Sequence, residues 1–63
     1  MKQNIKLKLF KKSGAMTAEN NFKTLIFSKP SEALEIAEYF YHNYFYQAQV
    51  IDADGYIYAE FEN

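Results

Sequence analysis

Cysteine, tryptophan and arginine do not occur among these 63 residues, proline occurs once and glycine twice. Without cysteine there is no disulfide framework of the kind that holds small secreted domains together, and no thiolate to ligate zinc. His42 is the single histidine, so a zinc site built from protein side chains alone has almost no ligands to draw on. Gly14 and Gly55 are too few for a loop that cradles phosphate. No apolar run approaches the ~20 residues that a membrane-spanning helix needs. Residues 1–12 alternate charged and apolar side chains and hold no apolar stretch resembling that of a signal peptide. These absences predict a cytoplasmic protein with no cofactor, no metal and no membrane association.

What is present is apolar. Hydrophobic residues make up 49% of the chain and aromatic ones 19%, so packing has to supply the stability that disulfides or metals give other small domains. The length predicts one domain, 1–63, and a chain this short buries only about 60% of the surface that it exposes when unfolded. Association with a second copy or a partner relieves that shortage. Net charge is −1, but all seven lysines fall in residues 1–30 against the single Glu19, and residues 31–63 hold seven acids and no base. Lys, Asn, Ile, Phe and Tyr fill 29 of 63 positions. Their codons are A/T-rich, a bias that a phage or mobile-element reading frame would share.

Ile5-Lys6-Leu7-Lys8-Leu9 alternates with period two and predicts a strand with one buried face. Residues 11–21, with Ser13, Gly14, Thr17 and two asparagines, read as a wide loop. Residues 22–28 read as a second strand. Ser28-Lys29-Pro30-Ser31 is a helix-start signal, with either serine as the cap and Pro30 in the first turn. The helix is expected over 31–46, with Ala33, Ile36, Ala37, Phe40 and Tyr44 at three- and four-residue steps and Phe40 in the core. Ala48 to Ile51 and Tyr56 to Phe61 read as strands joined by the Asp52-Ala53-Asp54-Gly55 turn, since Asp-Gly between β-rich runs is a hairpin signal. The expected fold is α+β: a single-layer, four-stranded, mainly antiparallel sheet with one helix on one face (β-β-α-β-β).

One helix covers only one face of such a sheet. Strand parity assigns Ile5, Leu7, Leu9, Phe22, Thr24, Ile26, Ala48, Val50, Ile57, Ala59 and Phe61 to the helix side. The open face then holds Lys6, Lys8, Lys23, Gln47, Gln49 and Glu60 among Phe10, Leu25, Phe27, Ile51, Tyr56 and Tyr58. Those six apolar residues are the candidate protein-binding site, because monomers rarely expose so large an apolar patch. A bulged strand, or the first loop folding over the sheet, would shrink it.

The chemistry of catalysis is missing from the pattern. No serine sits in a nucleophile-elbow context, and His42 is expected on the exposed side of the helix. Asp52-x-Asp54-Gly55 has the spacing of the middle of a calcium loop, but Val50 and Phe61 occupy the outer positions where carboxylates are required. The expectation is a non-enzymatic protein-binding module, an inhibitor or adaptor, that works through the aromatic sheet face or as a homodimer. Two alternatives are nucleic-acid binding and mimicry of nucleic acid toward a protein that binds it. Lys6, Lys8 and Lys23 between aromatics offer a base-stacking surface, and the acids of the second half offer an imitation of phosphates.

Overall fold

A computed structural model describes residues 4–63; residues 1–3, the opening of the stretch read for a signal peptide, lie outside the described residues. Five elements follow in the order β1 (Ile5–Phe10), β2 (Asn21–Phe27), α1 (Pro30–Tyr44), β3 (Gln47–Ile51) and β4 (Ile57–Phe61). The strands form one antiparallel sheet in the order β2-β1-β3-β4, with α1 packed on one side. This is the expected β-β-α-β-β architecture. The first strand of the chain takes a central position, which suits its alternation: Ile5, Leu7 and Leu9 are buried, while Lys6 is exposed and Lys8 partly so.

The core lies between the sheet and α1. Ile5, Leu7, Leu9, Val50 and Ala48 meet Ala33 and Ala37, one helical turn apart on the same stripe of α1. Small side chains at those two positions let the helix axis approach the sheet closely. Leu25, Phe27, Leu34, Ile36, Phe40 and Phe61 close the margins. Phe40 is therefore half-buried at the margin, where a fully buried side chain was expected; it sits near the open C-terminal end of α1 and packs on Tyr39, Tyr44 and Tyr46.

Both ends of α1 differ from expectation. Lys29 occupies the N-cap position and makes no side-chain cap hydrogen bond, so neither serine caps the helix, although Pro30 does open it. The helix stops at Tyr44 because Phe45 turns into the left-handed region (φ 63°, ψ 20°), its N–H donating to Tyr41 O at 3.1 Å. A side chain in that conformation clashes with its own backbone, which is why glycine is favoured there. Phe45 is also exposed, so little packing compensates. Phe45→Gly is expected to stabilise the fold by about 1 kcal/mol, raising the melting temperature by roughly 5 °C. A melting curve unmoved or lowered by the change would show that the phenyl ring contributes as much as the strain costs.

The β3–β4 turn follows the Asp-Gly signal. Gly55 N–H donates to Asp52 O at 3.1 Å, and Asp52 N–H to Tyr56 O at 2.9 Å. The Asp52 carboxylate accepts from the N–H groups of Asp54 and Tyr56, both at 2.8 Å, and Gly55 has the positive φ (89°) that the turn requires. Asp52 is thus occupied with turn geometry.

Candidate functional site

The sheet face away from α1 is built by strand parity. Leu7 and Leu9 point to the helix, so Lys6 and Lys8 point away, and residues directly opposite them share that face. Ile26 lies opposite Lys6, Lys6 opposite Ile51, and Ile51 opposite Ile57. The next row reads Thr24, Lys8, Gln49, Glu60, and is tied by a 2.7 Å hydrogen bond from Gln49 Nε2 to Glu60 Oε2. One row is mainly apolar and the next is polar. In the apolar row Ile26 is 57% exposed and Ile57 46%, with Tyr58 beside them at 38%. The Tyr56 ring meets Tyr58 edge-on at 5.0 Å.

This face corrects the expected one in its membership. Leu25 and Phe27 lie opposite Leu7 and Ile5, and therefore on the helix side, where they pack on the core. Thr24 and Ile26, expected inside, are outside. Both parities of this strand carry apolar residues, so the pattern alone does not choose between them. The choice that buries Leu25 and Phe27 wins, and a bulge reconciles Phe22 with it. Leu9 pairs with Lys23 but Phe10 pairs with Asn21, which leaves Phe22 as the extra residue. The Asn21 amide donates to Leu9 O (2.9 Å) and Lys23 O (3.0 Å) at this irregularity. A second bulge falls in β4. Val50 pairs with Ala59 but Ile51 with Ile57, so Tyr58 is extra and Ile57, expected under the helix, joins the open face.

Phe10 is also removed from the expected patch. It is paired with Gln47, expected on the solvent face, and both are buried. The 11–20 loop folds over them: Gln47 Nε2 donates to Lys11 O and Gly14 O, each at 2.9 Å, and Gln47 Oε1 accepts from Asn63 N–H at 3.3 Å. Of the six expected residues, Ile51, Tyr56 and Tyr58 stay at the hairpin end of the sheet, Phe10 is under the loop, and Leu25 and Phe27 are under the helix. The three lysines of the nucleic-acid alternative are divided as well. Lys6 and Lys8 share the open face, whereas Lys23 lies opposite Leu9 on the helix side.

A second exposed apolar region lies at the C-terminal end of α1. Phe22 meets Tyr46 at 4.8 Å between ring centroids, Tyr46 stacks on Tyr44 at 6.0 Å, and Tyr44 meets Tyr39 at 5.8 Å. Hydrogen bonding with Tyr44 holds the Tyr39 phenol above its ordinary pKa, with a Coulombic contribution from the same residue. The spacing of tyrosines 39, 41, 44 and 46 signals an aromatic cluster in the sequence. The contribution of Phe22 from another element depends on the bulge and has no such signal.

No protein-family model, curated protein or solved structure matches this chain. Among the described residues there is no cavity and no group of three or more His, Cys, Asp or Glu placed to hold a metal ion. None of their helices is long and apolar enough to cross a membrane.

Proposed function

We propose that this is a protein-binding module whose contact surface is the open sheet face at the hairpin end, formed by Ile26, Ile51, Ile57 and Tyr58 with Tyr56 at its border. The supporting observation is the cross-strand row Ile26–Lys6–Ile51–Ile57, which presents three isoleucines on one exposed face of a four-stranded sheet. Isoleucines of a globular chain are among its most often buried residues, and large tyrosine side chains bury much area on contact at low entropy cost. A rim of Thr24, Lys8, Gln49 and Glu60 gives the apolar row a polar boundary, the arrangement of a binding patch with a dry centre.

The test uses Ile26→Asp and Tyr58→Lys, which alter the face without touching the core under α1. Both are expected to abolish assembly with a target protein, and Tyr58→Lys to weaken assembly with a second copy, while circular dichroism stays unchanged. Retention of full assembly by both variants removes the proposal. An electrophoretic shift assay at low and moderate salt covers the other class of partner. Nucleic-acid binding that weakens steeply with salt and survives Ile26→Asp would transfer the function to Lys6 and Lys8.

A further inference from the structure

Three observations together indicate what covers this face. The first concerns the sheet edges. β2 is interrupted by the bulged Phe22 and carries Lys23, and β4 is interrupted by the bulged Tyr58. Bulges and lysines on edge strands oppose the addition of another strand. The second is the thinness of the core: among the described residues only Ile5, Leu7, Leu9 and Val50 are large and fully buried. The open face offers room for a further apolar layer. The third is the order of charges within the polar row, where Lys8 on β1 and Glu60 on β4 lie at one level on either side of Gln49 on β3.

We propose that the open face packs against the same face of a second copy, about a two-fold axis that runs parallel to the strands over β3. This rests on the reading of the face as a protein-binding surface and names its occupant. β1 and β4 are each antiparallel to β3 and flank it at ~4.8 Å. Rotation about that axis therefore lays β1 over the second copy's β4 without shifting levels along the strands. Lys8 then faces the second copy's Glu60, and Glu60 faces its Lys8. Gln49 and Ile51 meet their own counterparts at the axis. Lys6 comes over the second copy's Ile57, beside the bulged Tyr58, where its methylenes cover apolar surface. An axis through the middle of the sheet, between β1 and β3, buries more area but gathers Lys6 and Lys8 of both copies around itself, with Glu60 left at the far edges. Repulsion among four ammonium groups favours the axis over β3.

Sedimentation velocity and native mass measurement of the full chain over a range of concentrations should show a dimer. Lys8→Glu and Glu60→Lys should each weaken it at least about tenfold by placing like charges face to face, and the double exchange should restore it. In a chain with no other cysteine, Gln49→Cys should be joined to its counterpart by a short bis-maleimide reagent, whereas Thr24→Cys, far from the axis, should not. A dimer that the single charge reversals leave intact, or whose double exchange fails to restore it, overturns this arrangement. A chain that is monomeric throughout overturns it too. In that case loss of a different protein partner by Ile26→Asp would leave the binding face itself standing.

Discussion

Replacing Leu7 with alanine is expected to lower the free energy of unfolding by about 3 kcal/mol, within the range for removing a fully buried leucine side chain. Leu7 is fully buried in a central strand, opposite Leu25 on one side and Val50 on the other, beneath Ala33 and Ala37. A domain of this length has only roughly 3–9 kcal/mol in total, so the change removes between about a third and all of its stability. Urea titration followed by circular dichroism measures the loss as a fall in the transition midpoint. A midpoint unchanged by Leu7→Ala would mean that the core is not organised around β1.

Gln47→Glu should be nearly as damaging at neutral pH, and for an electrostatic reason. The Gln47 amide nitrogen donates to two backbone carbonyls, Lys11 O and Gly14 O. A carboxylate would put negative charge against both oxygens in a site where the side chain is only 3% exposed. The expected cost is on the order of 3 kcal/mol. Burial and the two carbonyls both raise the folded-state pKa of the new carboxyl above its unfolded value of about 4.3. A raised folded pKa means that stability is full below the unfolded value and is lost as pH rises through the folded one. The variant should therefore approach wild-type stability near pH 4 relative to wild type at the same pH, and fall away toward pH 7. A pH-independent deficit would show that the loop is held by something other than the Gln47 amide.

These two sites mark the limits of what the chain announces about itself. The β1 alternation, the Asp-Gly turn and the three- and four-residue spacing of α1 are local patterns, each tied to one element, and each corresponds to what the structure contains. The facing of β2 depends on which of two apolar parities finds the helix, and that is decided by packing from other elements. Each bulge inserts one residue and reverses the facing of those beyond it, so the positions of Phe22 and Ile57 follow from a feature with no compositional mark. Gln47 looks like an ordinary polar residue on a solvent face; its burial depends on carbonyls more than thirty residues away. The candidate site was legible in kind, an apolar open face, and in half of its residues: Ile51, Tyr56 and Tyr58 remain, while Ile26 and Ile57 enter in place of Phe10, Leu25 and Phe27.

The strand order also sets a sequence of events in time. β1 is made first, yet it sits between β2 and β3, and thirty-six residues separate the end of β1 from the start of β3. A nascent chain can close the β1–β2 hairpin early, but Leu7 and Leu9 gain their second neighbours, Val50 and Ala48, only when β3 has emerged. Until then one long edge of β1 is unpaired. Closing a non-local pair of this kind is slow relative to local pairing. The rate at which the whole molecule acquires its shape is therefore governed by the meeting of β1 with β3, and the half-made chain is at its most vulnerable just before that meeting.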